Sequence, residues 1–248
     1  MRESLRTARG VLRSLRTYYG GRARRAAMDR LHREFVRPGD LVFDVGAHVG
    51  DRIASFRRLG ARVVAVEPQP ALVATLRLLY GRDRNVAIES VALGAREGET
   101  TLRINIDNPT VSTASDDFVR AADGAAGWED QRWDRSMTVP VTTLDVLITR
   151  HGLPAFVKID VEGLEADVLA GLGRPPAALS FEFTTIQRAV ARRCIARCAA
   201  LGLVAFNAAL GESQTLIADN WRDADAMRAW LDALPHDANS GDIYARPA

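Results

Sequence analysis

Short apolar runs alternate with stretches of helical spacing from residue 41 onward, and this alternation restricts the fold more than any other feature of the chain. Leu41–Val45 precedes a helical pattern over Asp51–Leu59, Arg62–Val66 precedes one over Ala71–Leu79, and a third run follows at Val86–Val91. Runs this short and apolar, separated by single helices, build βαβ units and a parallel sheet covered on both faces. The rhythm resumes with a helix at Thr143–Arg150, a strand at Phe156–Val161, a helix at Glu165–Ala170 and a strand at Leu179–Phe183. A long helix near Gln187–Leu201 and strands at Val204–Ala208 and Ile243–Ala245 complete it. The expected class is α/β with helices on both faces, and 248 residues suffice for one such domain.

Two segments fall outside the rhythm. Thr100–Val141 reads as a β-containing insertion, with alternating Leu102, Ile104 and Ile106, a polar turn over Asn108–Thr113, and Trp128 and Trp133. Insertions of this length more often form a lid or binding wall than a passive loop, so Asn108, Thr110 and Ser112 are expected to offer hydrogen bonds there. Trp128 or Trp133 would offer an apolar face suited to a sugar ring. The other segment, residues 1–37, is a basic helical extension preceding a domain at 38–248. It carries 11 Arg against three acids, a net of +8, and leaves a net of −6 on the remainder. Leu5, Ala8, Leu12, Leu15 and Tyr19 recur at helical spacing beside Arg6, Arg9, Arg13 and Arg16. The expected use of this stripe is packing on the domain; a transit peptide and peripheral membrane contact through residues 1–19 are the other readings.

The longest charge-free stretch, Cys198–Gly211, is too short to span a membrane. Cys194 and Cys198 lie four apart on one helix and cannot form a disulfide framework, which leads us to expect a reducing, cytoplasmic setting.

Chemistry concentrates at three strand ends. The first strand runs into Asp44-Val45-Gly46-Ala47-His48-Val49-Gly50, a glycine turn where parallel sheets bind ligands. Asp44 stands where a dinucleotide turn has its first glycine, and its carboxylate would repel a pyrophosphate. A ligand with cationic character and no phosphates fits better, and S-adenosylmethionine is the common adenosyl cofactor of that kind. The second strand ends in Glu67, 17 residues past Gly50, where a carboxylate can accept from ribose hydroxyls. The strand Phe156–Val161 puts Lys158, Asp160 and then Glu162 on one face by its period of two. Charges on a buried strand must be paired or line a crevice. Of 33 basic residues 32 are Arg, and Lys158 is the sole lysine, which suggests that the position needs a compact ammonium holding Asp160 and Glu162.

Together Phe43–Gly50, Val66-Glu67-Pro68-Gln69-Pro70, Thr143-Leu144-Asp145 and Phe156–Glu165 resemble the FkbM-type S-adenosylmethionine-dependent methyltransferases. The resemblance covers roughly residues 38–185. It implies a Rossmann-like methyltransferase sheet, with Asp44, Gly46, Gly50 and Glu67 at the cofactor and Asp160 and Glu162 where cofactor and acceptor meet. His48 stands where Asn is commoner in the family, and both can hydrogen-bond at the turn. The implied reaction is methylation of a hydroxyl on a sugar, glycolipid or secondary metabolite, so the partner expected is a small-molecule or carbohydrate acceptor. Deprotonating an alcohol calls for a base, and Asp160, Glu162 and Glu182 are the available carboxylates. These three could also suit a hard divalent ion, but no His or Cys stands near and no metal is assigned. A dinucleotide oxidoreductase is disfavoured by the missing Gly-x-Gly-x-x-Gly. A noncatalytic nucleic-acid or membrane adaptor would use the basic N-terminus, yet that segment has no aromatic interleaving beyond Tyr18-Tyr19, and no nucleic-acid partner is expected. The oligomeric state is not legible in the sequence.

Overall fold

The computed structural model describes residues 2–248, with side chains from residue 5 onward. Helices α1 (Arg2–Tyr19) and α2 (Arg22–His32) lead into β1 (Leu41–Val45), α3 (Asp51–Arg58), β2 (Arg62–Val66), α4 (Pro70–Tyr80) and β3 (Val86–Glu89). The insertion expected at Thr100–Val141 lies within a longer segment of β4 (Ala92–Leu93), β5 (Gly98–Ile104), α5 (Asp116–Ala122) and β6 (Arg135–Thr142), whose sheet begins before Thr100 because β4 pairs with the end of β6. The remainder comprises α6 (Leu144–His151), β7 (Phe156–Ile159), α7 (Glu165–Ala170), β8 (Ala178–Thr184), α8 (Arg188–Ala200), β9 (Ala205–Leu210), α9 (Ala224–Ala233) and β10 (Ser240–Arg246).

Seven strands form one sheet in the order β3-β2-β1-β7-β8-β10-β9, in which β10 alone runs antiparallel between β8 and β9. The alternation of side chains along β1 explains the two covering layers. Leu41, Phe43 and Val45 pack on Leu144 and Leu147 of α6 and on α7 and α8, while Val42 packs on the opposite face with Leu31 of α2 and Ile53 and Phe56 of α3. Each fully buried side chain of this size contributes roughly 1.5–3 kcal/mol. The chain travels from β1 outward to β3 and then returns to the other side of β1 with β7. A crevice therefore opens at the carboxyl ends of β1 and β7, the switch point at which open α/β sheets take ligands.

The insertion is a second small sheet, β4-β6-β5, with its own apolar cluster of Val111, Phe118 and Trp128. It lies over the switch point.

Only the C-terminal end of the α1 stripe packs as expected, with Leu15 and Tyr19 half-buried. Leu5, Ala8 and Leu12 are exposed, and the helix docks through Gly10 and Ser14 instead. A Cβ at Gly10 would come within 2.4 Å of the Ile106 carbonyl oxygen, so only glycine allows this approach, and Leu5 and Leu12 on the opposite face are left outward. Arg6 bonds to Asp107 and Asp134 of the insertion, and the Tyr19 hydroxyl donates to the Val49 carbonyl at 3.0 Å. Among the described residues no helix is long and apolar enough to cross a membrane.

Candidate active site

A cavity of about 390 Å³ occupies the switch point, within the range of small-molecule sites. Its floor holds Asp44, Gly46, His48 and Glu67 from the ends of β1 and β2, with Lys158, Asp160, Glu162 and Glu182 from the ends of β7 and β8. Its roof is the insertion, through Asn108, Thr110, Ser112 and Trp128 among others, together with Tyr18 at the end of α1.

The turn after β1 is shaped by internal packing before it is shaped by any ligand. Gly46 has φ +82°, and a Cβ there would lie 1.7 Å from the Asp160 carbonyl oxygen, so β1 and β7 can come together only with glycine at this point. Gly50 is not part of the cavity lining. It takes φ +85° as the residue before α3, facing Tyr80 and Leu76, and thus serves the turn itself. His48 is also left-handed, at φ +49°. Its amide donates to Glu67 Oε2 at 2.9 Å, and the Gln69 amide donates to Glu67 Oε1 at 2.8 Å. Glu67 is thereby clamped at the strand end with accepting capacity left on both oxygens. Burial raises its carboxyl to about 7 against the pull of these two amides. The His48 ring meets Tyr18 edge-on at 5.2 Å, and burial lowers its pKa to about 4, so the imidazole is neutral at pH 7.

Asp44 sits across from Lys158 in the β1–β7 register, on the face away from Phe43. Its Oδ2 is buried with no hydrogen-bond partner, and burial raises the carboxyl to about 7.

Lys158 is buried as expected, but its partners differ from the expectation. Its Nζ donates to Asp160 Oδ2 at 3.1 Å and to Asp242 Oδ1 of β10 at 2.6 Å, and not to Glu162. The reason is that β7 ends at Ile159, two residues before the predicted end, so the period of two no longer governs Glu162. Glu162 turns at φ +55°, its carbonyl accepts from Thr113 Oγ1 at 2.6 Å, and its Oε2 is buried without a partner. The loop nonetheless returns its carboxyl to the site. One carboxylate oxygen from each of Asp160, Glu162 and Glu182 lies within 4.8 Å of the others, a spacing that a hard cation could also bridge.

Charge is unevenly shared in this trio. Burial works against ionising Asp160, but Lys158 and Arg52 outweigh it and hold the carboxyl below its ordinary value. Burial first, and then the charge of Asp160, push Glu162 and Glu182 well above theirs. Both cationic side chains of the lining are already committed: Lys158 as above, and Arg52 to Asp51 at 2.9 Å and Glu212 at 3.2 Å. The cavity therefore offers a phosphate no unpaired cation, while its orphaned carboxylates suit a positively charged ligand.

Trp133 does not line the cavity. Its indole donates to the Val111 carbonyl at 2.8 Å and packs on Phe118, so it supports the roof from behind, and of the two tryptophans it is Trp128 that faces the cavity. Sequence reasoning did not find Tyr18, Arg52 or Glu212, and it marked the polar segment Pro235–Asp242 before the last strand as a crevice loop without assigning Asp242 a role. For Asp242 a signal existed, because a buried lone lysine requires counter-charges, but only the antiparallel return of β10 brings that carboxylate to Lys158.

The family model for the methyltransferase FkbM domain matches residues 44–239, most of the chain. The chain belongs to the FkbM methyltransferase family. It is also similar to the precorrin-6y C5,15-methyltransferase of Geobacter metallireducens, at 13% identity over 90% of this chain and 87% of that one, with a TM-score of 0.41. A TehB-like SAM-dependent methyltransferase of Corynebacterium glutamicum is 10% identical over 90% and 88% of the two chains, with a TM-score of 0.45. Aeropyrum pernix fibrillarin bound to S-adenosyl-L-methionine is 15% identical over 85% and 68%, with a TM-score of 0.45. No curated protein matches the chain.

As an FkbM methyltransferase the protein uses S-adenosylmethionine. The residues present fit that cofactor: an unpartnered buried carboxylate at Asp44, a clamped acceptor at Glu67, and a cavity of suitable volume lacking free cations.

Proposed function

We propose that this FkbM methyltransferase methylates a hydroxyl group on a sugar, a glycolipid or a secondary metabolite. The observation that carries the reading is Glu162, whose buried Oε2 has no partner and whose carboxyl is pushed up by burial and by Asp160. An alcohol needs a base whose affinity for protons exceeds that of an ordinary carboxylate, and this environment supplies one. Asp160 is the weaker candidate because its pairing with Lys158 holds it ionised and lowers its proton affinity.

In this reading Asp44, Gly46, His48, Glu67 and Asp160 surround the cofactor, with Glu67 accepting from the ribose hydroxyls and Gly50 shaping the turn. Bound S-adenosylmethionine supplies a methyl carbon made electrophilic by its sulfonium. Glu162 takes the hydroxyl proton as the acceptor oxygen gains its new bond to carbon, with Glu182 beside it as a second proton site. Lys158 is a positioning residue that fixes Asp160 between β7 and β10. Asn108, Thr110 and Ser112 face the acceptor with hydrogen-bonding groups, and Trp128 gives a flat apolar wall. Positioning supplies most of the rate, since transfer requires the oxygen about 3–3.5 Å from the methyl carbon and in line with the bond that breaks.

The test is to incubate the protein with S-adenosylmethionine and hydroxylated acceptors, and to locate the added methyl by mass spectrometry and NMR. Glu162→Gln should lower turnover roughly 10²–10⁴-fold while S-adenosylhomocysteine still binds. A methyl found on carbon or nitrogen, or full turnover in Glu162→Gln, refutes the reading.

A further inference from the structure

The outward face of α1 exposes leucines that the active site does not use. Leu5 is 56% exposed and Leu12 47%, on a helix that Gly10 and Arg6 hold to the insertion and that buries Ser14 on its other side. At 100° per residue Leu5, Arg9, Leu12 and Arg16 share one face, with Ala8 and Arg13 on its flanks. Arg9, Arg13 and Arg16 are exposed and form none of the ion pairs found among the described residues. Tyr80 of α4 meets Tyr19 hydroxyl to hydroxyl, and the last turn of α4 exposes Leu78 and Leu79 beside Arg77.

We propose that this face docks the protein on an anionic phospholipid bilayer. The pattern of leucines flanked by unpaired arginines is what an interfacial helix requires. The leucines enter the boundary between headgroups and acyl chains, and the arginines reach back to the phosphates. Charge complementarity favours this occupant over a second copy of the chain, which would bring an identical positive face against the first. Within residues 1–37, which carry +8, α1 has five arginines against Glu3, while the remainder of the chain carries −6, so α1 contributes a local positive charge on a protein that is otherwise acidic beyond residue 37. Nucleic acid is less well matched, because exposed leucines gain nothing against a phosphate backbone. The docking does not depend on the hydroxyl-methylation reading. It has a consequence for it, since Tyr18 at the end of the same helix lines the cavity and would hold it beside the headgroups, where a lipid-borne acceptor is presented.

Co-sedimentation of the full chain with phosphatidylglycerol and phosphatidylcholine vesicles tests the proposal. Binding to phosphatidylglycerol should exceed binding to phosphatidylcholine by roughly tenfold and should weaken as salt shortens the reach of the charges. The double variant Leu5→Glu, Leu12→Glu and the triple variant Arg9→Gln, Arg13→Gln, Arg16→Gln should each weaken binding by roughly tenfold or more. Both should keep the melting temperature and the affinity for S-adenosylhomocysteine, since none of these side chains touches the cavity. Absence of binding to phosphatidylglycerol vesicles overturns the proposal, as does unchanged binding in either folded variant. Self-association that the same variants abolish, or nucleic-acid binding that competes with the vesicles, would also overturn it.

Discussion

Replacing Asp44 by Asn should make the ligand-free protein more stable and a poorer binder of its cofactor. In the folded chain the Asp44 carboxyl is buried, one oxygen has no partner, and burial raises its pKa from 3.8 to about 7. Between those two values the unfolded chain ionises this group while the folded chain keeps its proton, so stability falls as pH rises. At about 1.4 kcal/mol per pH unit the loss over the interval is on the order of 4 kcal/mol, complete once the pH exceeds 7. An amide of the same shape escapes that cost but leaves a buried polar group incompletely bonded, a penalty of about 1–3 kcal/mol. The expected net gain near pH 8 is therefore about 2 kcal/mol, or roughly 4–8 °C in Tm for a chain of this length. The same change removes the charge that answers a cationic ligand, so affinity for S-adenosylhomocysteine should fall roughly 10–100-fold. Urea and thermal unfolding of both proteins near pH 8 and about pH 4, with calorimetry of ligand binding, measure all three quantities. If Asp44→Asn is no more stable near pH 8, or binds as tightly as the parent, the link drawn here between an orphaned carboxylate and the cofactor is wrong.

Glu67→Ala removes the acceptor that clamps the amides of His48 and Gln69, and should cost about 1.5–3 kcal/mol of S-adenosylhomocysteine affinity by calorimetry. Lys158→Met leaves Asp160 and Asp242 without their shared ammonium and should destabilise the fold by about 3–5 kcal/mol in urea unfolding. Lys158→Arg keeps the charge but forces a larger planar group into the same buried space, so about 1–3 kcal/mol should still be lost. His32 is stacked on Phe56, and burial lowers its pKa from 6.5 to about 3. Its neutral form is favoured by the fold, so its contribution is complete above pH 6.5 and is lost as pH falls. By about pH 4 the parent should have lost about 3 kcal/mol relative to His32→Phe, read as the difference between their unfolding curves.

How much was legible beforehand varies with the range of the interactions involved. The strands β1, β2 and β8 and the helices α4, α6, α7 and α8 were readable because each is announced by its own residues, through apolar period and length. Asp44 and Glu67 were readable for a related reason: they end apolar runs, and a charged side chain at the carboxyl end of a buried strand has nowhere to go but the crevice. The end of β7 was misjudged by two residues, and with it the face of Glu162, because Val161 and Glu162 satisfy the strand period while the backbone leaves it at Ile159. The stripe on α1 was read correctly as amphipathic, but it packs only at Leu15 and Tyr19, while Leu5, Ala8 and Leu12 face out because Gly10 brings the other side of the helix against backbone.

The sequence by itself determined the parallel sheet, the acidic glycine turn, the strand-end acids and the separation of charge between the first 37 residues and the remainder. These are set by neighbours within a few residues along the chain. Tertiary structure alone decided that Lys158 answers Asp242 from 84 residues away, that Asp160, Glu162 and Glu182 converge, and that Tyr18 and the insertion close one cavity from two sides. Such pairings depend on which strand lies beside which. No local pattern records that order, because it is fixed by the burial of all the apolar faces at once.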